Sequence, residues 1–156
     1  MSVTLVEQPY RVAGRRSPAP AHQLDVAWTA VVEHLQGREL AGLPILVGGR
    51  SLGARVACRT AQATGVLCLA FPLRPPRRSG AVPASRLPEL DAVRVPTLVV
   101  QGTRDRFGMR PATPLRTAAE LAGDHSLRAD LHAVAAAAAA WLPGVLAQVG
   151  GRSAIQ

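Results

Sequence analysis

The junction Leu46-Val47-Gly48-Gly49-Arg50-Ser51-Leu52-Gly53 joins a short apolar run to a stretch with helical spacing, and it limits the folds open to this chain more than any other segment. A strand that passes into a helix within a few residues must turn so sharply that the residue at the apex takes a strained backbone angle. Small residues at positions 49 and 53 let the two arms of such a turn approach without side-chain collision. The apex here is Ser51, whose hydroxyl is thereby pushed out above the end of a sheet. The N–H of Leu52, at the start of the next helix, points to where negative charge would form on an attacked carbonyl. The plainer alternative is a glycine-capped strand with Ser51 as the N-cap of the following helix; the strand-turn-helix context favours the elbow.

The rest of the chain alternates in the same manner. Val3, Leu5 and Val6 before Gln8-Pro9 predict a short strand over Val3–Glu7, stopped by proline. Leu24, Ala27, Trp28, Val31, Val32 and Leu35 follow i, i+3, i+4 spacing and predict a helix over His22–Gln36, ending near Gly37. Ile45–Val47 is a strand, Leu52–Ala63 a helix closed by Gly65, and Val66–Phe71 a strand buried on both faces. A proline- and arginine-dense loop, Pro72–Pro88, precedes a short helix around Leu87–Val93. Thr97–Val100 is a second fully buried strand, Leu115–Leu121 a weaker one, and Leu127–Val149 the terminal helix. Its Ala135–Ala140 block reflects helix propensity. This order predicts one α/β domain over residues 1–156, a mostly parallel sheet with helices on both faces. Ligands of such folds bind beyond the carboxyl ends of the strands, where Ser51 would sit.

A serine hydroxyl attacks only when a base takes its proton, and the base works best when a carboxylate fixes its tautomer. The chain supplies both in the order Ser, Asp, His: Asp105 follows the strand ending at Val100, and His125 follows the weak strand in Gly123-Asp124-His125-Ser126. Asp105 could instead be a turn former between Arg104 and Arg106, and His125 a residue at a helix start beside Ser126. Asp124 is an alternative acid, but it adjoins the histidine in sequence. His22, His34 and His132 fall on helices or helix starts and are read as surface residues.

All 18 basic residues are arginine, and the formal net charge is +8. Only Arg15/Arg16 and Arg74/Arg77/Arg78 cluster, and two Trp, one Tyr and two Phe leave little for bases to stack on, so nucleic acid is not the expected partner. No uninterrupted apolar run reaches the roughly 18 residues of a membrane span, and the first ten residues lack a signal-peptide layout. A cytoplasmic protein without a membrane partner is expected. Cys58 and Cys68 show no metal-ligand spacing, which predicts two reduced buried thiols, no metal and no cofactor.

Glu7-Gln8-Pro9-Tyr10-Arg11, GGRSLGARVACR, GVLCLAFPL followed by RPP, PTLVVQGTRDRFG and GDHSL resemble, over nearly the whole chain, an α/β-hydrolase subfamily. That subfamily includes the hydrolase-like domains of the testis-expressed and NSL-complex-subunit proteins and is similar to dienelactone hydrolases and other carboxylesterases. The resemblance implies Ser51 as nucleophile, His125 as base and Asp105 as acid, and the leading expectation is a serine hydrolase acting on a small ester, thioester or related acyl substrate. Some members of the subfamily look like interaction scaffolds rather than enzymes. Arg106 departs from the pattern, since a proline usually follows the aspartate there, and this loosens the turn without removing the carboxylate.

Proteins of this kind also begin with a further strand and an HGxG-like loop, which the resemblance places ahead of Met1, making this a truncated α/β-hydrolase fold. Val3–Glu7 would then either pair with Ile45–Val47 or stay displaced, and an exposed sheet edge would be open to a protein partner or to self-association. The oxyanion site would hold one amide donor, Leu52, instead of two. Loss of one donor costs on the order of a hundred- to a thousandfold in rate, so the expectation is weak or absent esterase activity.

Overall fold

The computed structural model describes residues 2–74, 84–109 and 111–153, which fall into two compact units, 1–43 and 44–156. The first unit carries α1 (Pro9–Val12) and α2 (Ala21–Gln36). Residues 2–8 have no regular structure, and Val3 and Leu5 are 73% and 92% exposed, so the expected strand Val3–Glu7 is not formed. Two or three apolar residues do not hold a strand without a partner for its backbone. Pro9 instead opens α1, where its missing N–H costs nothing. The α2 bounds match the spacing of its apolar residues, and Gly37 caps it with N–H bonds to the Glu33 and Leu35 carbonyls.

The second unit is built on four parallel strands in the order β1-β2-β3-β4: β1 (Leu46–Arg50), β2 (Gly65–Leu69), β3 (Thr97–Gly102) and β4 (Arg116–Leu121). Among the described residues β1 is therefore an edge strand. The run Thr97–Gly102 is buried throughout, as its unbroken apolar start implies. Helix α3 (Leu52–Arg59) ends earlier than expected, at Thr60, whose hydroxyl bonds back to the Val56 carbonyl. Gly65 closes no helix; it is the first residue of β2 and pairs with Leu46. A Cβ there would lie 2.8 Å from Leu46 Cδ2, so close strand packing is the reason for this glycine.

Successive strand residues point to opposite faces, and this assigns the helices. Leu67, Leu69, Leu98 and Val100 join Ala70 and Leu127 in a core completed by Val134, Ala137, Ala138 and Trp141 of α5 (Leu131–Ser153). Cys68 points the other way and meets Cys58 of α3, Sγ to Sγ 3.4 Å, so α3 covers the opposite face. Both thiols are free and buried, and the bond from Cys58 together with burial pushes the Cys68 thiol well above its usual range. The α/β architecture with helices on both faces is thus the observed one. Residues 131–148 of α5 average a hydropathy of 1.4, long and apolar enough by length and composition to cross a membrane although no uninterrupted apolar run there reaches that length. Alanine accounts for it, since it counts as apolar in any window. In the fold this helix packs on β3 and β4.

Helix α4 (Leu87–Asp91) docks on α3 through Glu89, whose carboxylate takes both Arg55 Nε (2.9 Å) and Arg55 Nη2 (2.6 Å), with Arg59 Nη1 at 3.4 Å. Burial, then the neighbouring Arg55, lowers the Arg86 guanidinium from its usual value. A bidentate, part-buried pair among several guanidiniums is one of the few surface ion pairs that contributes measurably. Glu89→Gln is accordingly expected to lower unfolding stability by about 1–3 kcal/mol, read from urea denaturation. Residues 75–83, most of the loop Pro72–Pro88, lie outside the described residues.

Candidate active site

At the carboxyl end of β1 the chain does what its glycines require. The Ser51 N–H still bonds to the Leu69 carbonyl of β2 (2.9 Å), and Arg55 N–H already closes the first turn of α3 on the Ser51 carbonyl (3.3 Å). Between these two bonds the serine is forced to φ 54°, ψ −107°, a conformation that costs on the order of 1–3 kcal/mol. The two glycines of the turn are not equivalent. A Cβ on Gly49 would lie 2.5 Å from the Gly53 carbonyl carbon, whereas one on Gly53 would meet nothing within 4 Å. The close approach therefore fixes glycine at 49 and leaves 53 sterically free. Leu52, first residue of α3, has an N–H without an acceptor inside the helix.

Two further loops meet the elbow. Beyond β3, the Asp105 N–H bonds to the Gly102 carbonyl (2.9 Å) and Gly108 N–H to the Asp105 carbonyl (3.1 Å). The turn is closed with Arg106 inside it. Beyond β4, Asp124 Oδ1 accepts the Ser126 N–H (2.8 Å) and Asp124 O the Leu127 N–H (3.2 Å), which wraps the backbone around His125. Arg104 N–H to the Gly123 carbonyl (2.8 Å) fastens the two loops to each other. Leu127 and Ala70 also have positive φ, 53° and 50°. Every non-glycine residue of that kind among those described thus lies on the elbow, at the end of β2, or two residues past His125.

The loops bring Ser51, His125 and Asp105 into one hydrogen-bonded line. His125 Nε2 is 2.9 Å from Ser51 Oγ, and His125 Nδ1 is 2.7 Å from Asp105 Oδ2. The Asp105 side chain is wholly buried, and that of His125 is 23% exposed. With Nδ1–H donating to the carboxylate, Nε2 is left to accept from the serine hydroxyl. The Phe107 ring stands edge-on to the imidazole at 4.5 Å, with the Arg106 guanidinium 5.0 Å over Phe107, while Arg50 Nη2 reaches the His125 carbonyl (3.4 Å). Asp124, the alternative acid, is spent on its own turn: the Ser126 hydroxyl and N–H hold its carboxyl below the usual carboxylate range. His22, His34 and His132 are exposed on α2 and α5.

Sequence reasoning missed Gln101. It is buried on β3, and its Nε2 donates to Asp105 Oδ2 (2.6 Å) and to the Phe71 carbonyl (3.2 Å). A carboxamide four residues before the aspartate, at the end of an otherwise apolar strand, was the available signal. Asp105 Oδ1 takes the Phe107 N–H (2.9 Å), so both carboxylate oxygens are held. Among the described residues no group of three His, Cys, Asp or Glu side chains could hold a metal ion.

Residues 3–138 match a family described as "Alpha/beta hydrolase domain". Among solved structures the chain is similar to an alpha-beta serine hydrolase homologue from Coxiella burnetii, at 16% identity and TM-score 0.52, over 71% of this chain and 54% of that one. It is also similar to TT1662 from Thermus thermophilus, at 23% identity and TM-score 0.56, over 81% of this chain and 63% of that one. The chain thus spans between half and two thirds of the length of these two proteins. No curated protein matches it.

Proposed function

From the premise that the chain belongs to the alpha/beta hydrolase domain family, we propose that it is a serine hydrolase acting on a small ester or related acyl compound. The observation that carries this reading is the line of bonds from Ser51 Oγ through His125 to Asp105 at the end of a strained strand-to-helix turn. Ser51 Oγ attacks the acyl carbon while its proton passes to His125 Nε2. Asp105 Oδ2 holds the Nδ1 proton and balances the charge of the imidazolium. The oxyanion of the tetrahedral intermediate is met by the N–H of Leu52. His125 then returns the proton to the departing oxygen, and water repeats the sequence on the acyl-enzyme, releasing the acid.

The blocks around Ser51, Asp105 and His125 support carboxylesterase-type chemistry of the dienelactone-hydrolase kind. A second donor for the oxyanion is the component this reading needs beyond Leu52, and with one amide alone turnover is slower by roughly a hundred- to a thousandfold. The testing experiment is labelling with a fluorophosphonate, which needs an activated serine but little turnover. A stoichiometric adduct on the peptide containing Ser51 is expected, and a protein that stays unlabelled at high probe concentration refutes the reading. A second reading, a hydrolase fold retained for protein contacts, draws on the edge position of β1.

A further inference from the structure

Gln101 is a costly residue for the fold. It lies 3% exposed in a strand that is buried at every position, and its Oε1 is buried without a hydrogen-bond partner among the described residues. An aliphatic side chain there would leave no orphaned carbonyl, so packing gives no reason for a carboxamide. The other end of the same amide explains it. Nε2 lies between the Phe71 carbonyl at the end of β2 and Asp105 Oδ2, the oxygen that also faces His125 Nδ1.

We propose that Gln101 is a positioning residue for the hydrolase relay, its carboxamide anchoring Asp105 Oδ2 to the end of β2 so that the carboxylate faces His125. The proposal rests on the serine-hydrolase reading. The Phe107 N–H alone fixes only Oδ1, about which the carboxylate can still swing; the Nε2 contact removes that freedom. It also shares the charge of Oδ2 between two donors. Without it, the whole charge of that oxygen acts on the imidazole and the imidazolium form of His125 is favoured.

The test is Gln101→Met, which preserves volume and removes both polar atoms. Its thermal midpoint is expected to stay close to that of the wild type, removal of the orphaned carbonyl offsetting loss of the bond to the buried Asp105 carboxylate. The fluorophosphonate labelling rate at Ser51 falls roughly ten- to a hundredfold. The titration midpoint of His125, followed by NMR, moves upward, and so does the acid limb of the labelling rate. Wild-type labelling kinetics together with an unmoved His125 midpoint overturn the proposal. So does a rate loss that appears only with a fall in thermal stability, since that is a purely structural role. If wild-type Ser51 takes no label, the hydrolase reading falls, and the His125 midpoint alone decides whether Gln101 governs the Asp105–His125 pair.

Discussion

Replacement of Ser51 by alanine is expected to remove the fluorophosphonate adduct entirely and to lower ester hydrolysis by as much as roughly 10⁶-fold. The loss is one of chemistry and not of fold. Alanine at φ 54° is as strained as serine, and among the described residues the only bond it forfeits is the 2.9 Å contact with His125 Nε2. Thermal unfolding should therefore change little while the reaction stops. His125→Ala should cost nearly as much, and the double variant hardly more than either single one, because hydroxyl and base act as a unit. Hydrolysis by the Ser51→Ala protein within tenfold of wild type would place the chemistry elsewhere.

The second large effect is expected from one methyl group on a residue with no functional atoms. A Cβ on Gly102 would lie 2.5 Å from the Asp124 carbonyl oxygen, 2.6 Å from that of Gly123 and 2.8 Å from the Gly123 carbonyl carbon. All three are backbone atoms, so nothing can rotate away. Gly102→Ala must push the 123–124 backbone outward, breaking the bond from Arg104 N–H to the Gly123 carbonyl and drawing His125 away from Asp105. Overpacking of this kind costs about 1–3 kcal/mol of stability. A displacement near 1 Å costs the reaction about a hundredfold. Labelling kinetics measured beside urea unfolding check both, and an intact labelling rate would mean that the loop absorbs the methyl without moving the histidine.

These residues also mark what could be read from the sequence and what could not. The central strands of the sheet were legible because β3 is buried throughout and β2 is buried or half-buried at every position, and their apolar composition says so without context. The elbow was legible because its constraint is local: strand, turn and helix are contiguous. Val3–Glu7 misled because apolar residues before a proline are also what an exposed lead-in to a helix contains. Gly65 misled because a glycine that ends a helix and one that lets strands pack closely are the same letter. Gln101 and Gly102 were invisible for a different reason. Their demands come from Asp105 and from residues 123–124, and only the folded sheet brings these against the end of β3.

The unfilled space at position 53 has a practical consequence. Two residues beyond the serine, on the first turn of α3, the chain carries a hydrogen where the surroundings would accept a carbon. Position 53 can therefore take a methyl or hydroxymethyl group two residues beyond Ser51 without meeting a neighbouring atom. Position 49 offers no such freedom, so of the two glycines flanking the serine only one is demanded by the approach of the backbone.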